Sequence, residues 1–194
     1  MNPFSNAGLF LVQSIFDLYI FIVMLRIVLQ WVNADFHNPL FEIVAKLTNP
    51  PLKPIRRIIP TIHGFDFAAC ALLLALEVIK LTLLVWLQIN AVANFSGLVV
   101  LAFAELLNQL INIFFYAILA SAILSWVSPF AHGPFVEVLT RLTEPLLRPM
   151  RRVIPIIAGL DITPIFAMII LKLFTIVIVQ PLTQISFRLM GVAN

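Results

Sequence analysis

Charge is scarce in this chain. Only 11% of its 194 residues are charged, where a soluble domain carries about a quarter, while 62% are hydrophobic and the mean hydropathy is +1.08. A soluble globular domain is excluded by that balance. Cysteine is nearly absent too, and Cys70 alone cannot form an intramolecular disulfide, so the redox compartment is not written here. No nucleophile–base arrangement, phosphate-cradling loop or metal-ligand spacing occurs, which argues against an enzyme and against a bound cofactor or metal. The three histidines, His37, His63 and His132, do not fall at converging helix spacing and read as solvated groups at the water interface. The basic segments lack interleaved exposed aromatics, which argues against nucleic acid. Lys and Arg are also missing from residues 1–8 and from the connector 90–98.

What fills the chain instead is four long apolar runs, roughly residues 8–32, 67–89, 99–127 and 162–187. Each reaches the ~20 residues that cross a bilayer core. The first is expected to stay in the protein rather than be cleaved, having no basic n-region, excessive length and no small-residue cleavage site at its end. Eight of the twelve Lys and Arg sit in two loops, Lys46, Lys53, Arg56 and Arg57 in one and Arg141, Arg148, Arg151 and Arg152 in the other. Basic residues beside short loops are retained in the cytoplasm on insertion. A multi-pass protein with both basic loops cytoplasmic and both termini periplasmic is expected, with Arg188 as the one dissenting charge.

Shifting the sequence by 95 residues aligns Trp31 with Trp126 and Asp66 with Asp161 without a gap, and 17 of the 36 positions in that window are identical. The chain is an internal duplication, divided near 1–95 and 96–194. Two spans per copy bring the second copy into the bilayer with the orientation of the first, so the repeats are parallel and expected about a pseudo-twofold axis along the membrane normal. The fold class expected is an all-α membrane protein, four transmembrane helices in two helical hairpins.

Within each loop, residues 38–48 and 133–143 carry apolar positions on one face and Glu42 and Lys46, four apart, on another, the pattern of a short interfacial amphipathic helix. The prolines that follow, Pro50, Pro51, Pro54 and Pro60 in one copy and Pro145, Pro149 and Pro155 in the other, remove amide donors and predict a stiff, non-helical segment. Gly64 and Gly159 supply turns, Asp66 and Asp161 cap the next helices, and Pro164 suits a first helical turn.

Two sets of residues are candidates for function. Lys53, Arg56, Arg57, Arg148, Arg151 and Arg152 can grip lipid phosphates or a partner, guanidinium forks being suited to phosphate oxygens. Equally, they can fix topology and pair with Glu144, Asp66 or Asp161. Inside the spans lie Asp17, Arg26, Glu77, Lys80, Glu105 and Lys172, each expensive in hydrocarbon unless paired or wet. Asp17, Glu77, Lys80 and Lys172 fall at a similar depth, about 20 Å from the loop-side ends of their helices. Glu77 and Lys172 are repeat equivalents, expected to pair across the axis, and Asp17 is level with Lys80. That band reads as a structural network or as an ion path. Trp31, Trp86 and Trp126 mark span ends, where indole rings prefer to sit.

The duplicated pattern W…P…T-x-P-x-L-x-P-x-R-R-x-x-P…G-x-D closely resembles the bacterial YggT family, whose relatives include the YlmG proteins and plastid homologues. It falls on Trp31, Thr48, Pro50, Leu52, Pro54, Arg56, Arg57, Pro60, Gly64 and Asp66, and again on Trp126, Thr143, Pro145, Leu147, Pro149, Arg151, Arg152, Pro155, Gly159 and Asp161. The first copy has Ala68 and Ala69 where the second has Thr163 and Pro164. The resemblance implies a bacterial inner-membrane protein tied to envelope, osmotic and ion homeostasis or to assembly of membrane complexes. Together the residues and the resemblance point to a non-enzymatic scaffold or assembly factor, its partners membrane lipids and other membrane proteins or further copies of itself. The alternative is a small oligomeric channel or transporter using the intramembrane charges.

Overall fold

A computed structural model describes residues 3–33, 38–60, 65–89, 94–128, 132–154 and 161–191, with side chains from residue 6 onward. The described residues form helices throughout: α1 (Pro3–Trp31), α2 (Pro39–Ile55), α3 (Phe67–Ile89), α4 (Phe95–Val127), α5 (Pro134–Arg151), α6 (Thr163–Phe174) and α7 (Gln180–Met190). A π-helical turn, Thr175–Val179, joins α6 to α7 into one span. It lies just before Pro181, which has no amide hydrogen to continue an α-helical ladder, and the Gln180 amide bonds back to the Thr175 carbonyl instead.

Four helices are long and apolar enough to cross a membrane: Asn6–Trp31, Phe67–Gln88, Phe95–Val127 and Thr163–Met190. Their outer faces are apolar and open, with Phe10 68%, Ile15 67% and Val177 68% exposed. So much bare apolar surface suits lipid rather than water. At 1.5 Å per residue α1 and α4 measure roughly 40–50 Å, longer than the ~30 Å hydrocarbon core. The surplus gives α2 and α5 a wall to pack on. From α2, Phe41, Val44 and Leu52 are buried, and from α5, Val138, Leu139, Leu142 and Leu147. Each is worth about 1.5–3 kcal/mol against exposure to water.

The proline segments depart from expectation. Pro50, Pro51 and Pro54 lie inside α2, and Pro145 and Pro149 inside α5. Proline's fixed φ is itself helical, and the cost lies in the missing donor. Pro51 cannot satisfy the Leu47 carbonyl, which accepts instead from the Tyr19 hydroxyl of α1 at 3.4 Å. Packing against the bundle thus carries the helix through the prolines, and it stops at Arg56 and Arg152 rather than before them.

The repeats are joined at the loop end. Asn38 Nδ2 donates to the Pro134 carbonyl at 3.0 Å, and Arg141 Nη1 to the Asn33 carbonyl at 3.1 Å. Both basic segments therefore occupy one end of the bundle. A groove of about 560 Å³ there is lined from both copies by equivalent pairs, Phe21 with Tyr116, Leu40 with Phe135 and Val44 with Leu139. Among the spans the pseudo-twofold relation fails. Helix α3 packs on α4, but the equivalent contact of α6 or α7 with α1 is absent among the described residues. Helix α4 clasps α7 within the second copy, as α1 packs on α3 in the first, and Gly97 sits so close to Ser186 and Met190 that a Cβ there would meet backbone atoms at 2.8–2.9 Å.

Candidate functional site

The basic end is built twice by the same local logic. Asp66 and Asp161 stand just before α3 and α6, where free amides need acceptors. Asp66 Oδ1 accepts from the Ala69 amide at 3.2 Å, and Asp161 Oδ1 from the Thr163 amide at 2.9 Å. The second oxygen of each is taken by the first arginine of the Arg-Arg pair. Arg56 Nη2 binds Asp66 Oδ2, and Arg151 Nε binds Asp161 Oδ2 at 2.9 Å. Arg151 also reaches Glu144 at 3.5 Å. Burial pushes the Asp161 carboxyl up, but the bonds from Thr163 and Arg151 outweigh it and hold the group below the ordinary aspartate range. Arg56 and Arg151 are therefore locks that fasten the end of α2 to the start of α3, and of α5 to the start of α6.

The second arginines behave differently. Arg57 and Arg152, with Lys53 and Arg148 one turn earlier, are exposed and have no ion pair among the described residues. They sit at the C-terminal ends of α2 and α5, where the helix dipole favours cations. The six basic residues singled out by sequence thus divide into two locks and four cations that are free among the described residues. Lys46 and Arg141 are occupied by Glu42 and Glu137 at 2.7 and 3.0 Å, and the Lys46 ammonium holds the Glu42 carboxyl below its usual range.

Of the remaining motif residues, Pro50, Pro54, Pro60, Pro145 and Pro149 are exposed, and Trp31 and Trp126 are exposed at the ends of α1 and α4. Trp31 stacks edge-on against Phe114 at 6.3 Å. Gly64, Pro155, Gly159, His37 and His63 lie outside the described residues. Among the described residues no three His, Cys, Asp or Glu side chains converge as metal ligands would.

Deeper in the bundle, Lys80 Nζ of α3 lies 2.8 Å from Asp17 Oδ1 of α1 and 2.6 Å from Glu77 Oε1. Glu77 is fully buried and its Oε1 contact is ionic, without hydrogen-bond alignment. The expected Glu77–Lys172 pair does not form, because α6 stands away from α3. Lys172 is exposed, its ammonium 4.5 Å from the Phe115 ring centroid. Sequence reasoning assigned no task to Arg26, which is buried and binds the Thr48 hydroxyl and the Ala45 carbonyl at 3.4 Å. Thr48 belongs to the duplicated motif, but the partner position in the second copy is Ser121, so the repeat alone could not reveal this tie.

The pattern that defines the CCB3/YggT family matches this chain twice, over residues 5–87 and 100–182. An uncharacterized protein of Pseudomonas aeruginosa is 35% identical over 187 residues, spanning 96% of this chain and 95% of its own length. A Vibrio alginolyticus protein is 40% identical over 159 residues, 81% of this chain and 85% of its own. The uncharacterized protein YggT of Escherichia coli K12 is 35% identical over 167 residues, 86% of each. No solved structure matches the chain significantly. Two tandem modules, each a span, a basic proline-containing helix and a second span, make this chain a member of the CCB3/YggT family.

Proposed function

We propose that this protein is a non-enzymatic scaffold of the bacterial inner membrane, with both basic segments in the cytoplasm, where Lys53, Arg57, Arg148 and Arg152 bind anionic lipid headgroups. The observation that carries this reading is the division within each Arg-Arg pair. One arginine is locked to aspartate and its neighbour is left free, at equivalent positions of two modules that share one end of the bundle. Four cations near an anionic leaflet contribute on the order of 1 kcal/mol each. The positive-inside bias of the loops supports the cytoplasmic placement.

The test is lipid retention. Purified protein in mixed phosphatidylglycerol and phosphatidylethanolamine nanodiscs is expected to hold phosphatidylglycerol preferentially, and a K53Q/R57Q/R148Q/R152Q variant to lose that preference while staying folded. An unchanged preference in the folded variant defeats the proposal. Photoreactive residues beside Arg57 and Arg152 that capture one protein in native membranes would reassign the cations to a protein partner. A second reading, a small oligomeric channel or transporter in ion or osmotic homeostasis, draws on the half-exposed Asp17 carboxylate beside Lys80 and Glu77. Ion flux in liposomes that vanishes in an E77A/K172A variant would put it in place of the scaffold.

A further inference from the structure

The intramembrane charges of one chain do not balance where they stand. Asp17 and Glu77 share the single ammonium of Lys80, leaving one carboxylate charge in excess, and the Asp17 side chain is 45% exposed. Lys172, nine residues beyond the start of its span, has no carboxylate partner among the described residues. An aromatic face offsets only part of the cost of a lone ammonium in hydrocarbon. Deficit and surplus lie on different outer faces, one on α1 and one on α6.

The duplication says how those faces meet. Within the chain α3 packs on α4. Shifted by 95 residues, Glu77 becomes Lys172 on α6, and the α4 positions Glu105 and Asn112 become Phe10 and Asp17 on α1. The equivalent contact, α6 on α1, is unmade among the described residues. Both stripes are open: Ile165, Ile169 and Ile176 flank Lys172 at helical spacing, and Phe10 and Phe21 flank Asp17. A contact that joins two unlike faces, once repeated, passes from chain to chain, closing as a ring where its rotation allows and otherwise continuing as an open row.

We propose that a second copy of this chain lays its α6 face on α1 and supplies Lys172 to the Asp17–Lys80–Glu77 cluster, making two carboxylates and two ammonium groups. The proposal is independent of lipid binding at the basic end. It is tested in a C70A background by co-expressing two differently tagged chains, one F10C and one I176C, both substitutions being at exposed positions displaced from Asp17 and Lys172 toward the same end of the antiparallel pair, and oxidising native membranes. A disulfide joining the two tags is expected. K172Q in the I176C chain should lower its yield roughly tenfold or more, since the loss strands the neighbour's carboxylate in hydrocarbon, whereas K172R should retain it. A disulfide that forms only when both cysteines are on one chain, or one indifferent to K172Q, overturns the proposal. So does its absence when both chains are inserted and resist proteolysis like the unmodified protein.

Discussion

At the scale of single residues, the two halves of an Arg-Arg pair differ in kind because one meets an aspartate and the other is exposed with no ion pair among the described residues. Arg56 and Arg151 sit beside carboxylates that also cap helices, so each lock joins two chain segments through a charge-assisted bond. Asp161 makes this measurable. Its folded pKa lies below the unfolded value, so it contributes stability above the ordinary aspartate range, near pH 4, and loses it as pH falls through the lower folded value. Hydrogen exchange at the Thr163 amide should therefore stay slow from neutral pH down past pH 4, once its intrinsic pH dependence is subtracted, and accelerate only in stronger acid. In D161N the amide should exchange faster throughout and lose the acid-dependent step. A step that persists in D161N would mean that another carboxylate holds the start of α6.

At the scale of elements, the spans and the amphipathic helices were legible because hydropathy and periodicity are local. The aspartate caps were legible for the same reason, standing a fixed distance before an apolar run. The helicity of the proline segments was not, because it depends on a donor from elsewhere: Tyr19, twenty-eight residues upstream of Leu47, replaces the amide that Pro51 lacks. That exchange predicts a coupling. Tyr19→Phe should cost about 0.5–1.5 kcal/mol by leaving the Leu47 carbonyl without a donor. In a Pro51→Ala background the restored amide serves that carbonyl, and the same substitution should cost markedly less. Thermal unfolding of the four proteins of the cycle in detergent gives the answer, and additive effects would show that the tyrosine hydroxyl does not replace the missing amide.

At the scale of the whole molecule, the duplication predicts more symmetry than the chain possesses. Equivalent residues line the groove at the basic end, and Asn38 and Pro134 tie the two interfacial helices there, but of the two second spans only α3 packs on a span of the other copy among the described residues. Sequence could not show this, because equivalent positions carry opposite charge, Glu77 against Lys172, and a helix face does not announce which neighbour it will find. What survives the asymmetry is that both modules send their basic segments to one side, since the Asn38 and Arg141 bonds bridge the repeats there. Cysteines placed at Arg57 and Arg152 in a C70A background should consequently share one labelling behaviour. An impermeant maleimide should leave both untouched in intact spheroplasts and modify both after permeabilisation, while a cysteine at Asn6, at the far end of α1, should react at once. Labelling of Arg57→Cys and Arg152→Cys from opposite sides would break the paired arrangement that the proposed lipid site requires. Labelling of both from outside would preserve the pairing and move the proposed lipid-binding surface to the other leaflet.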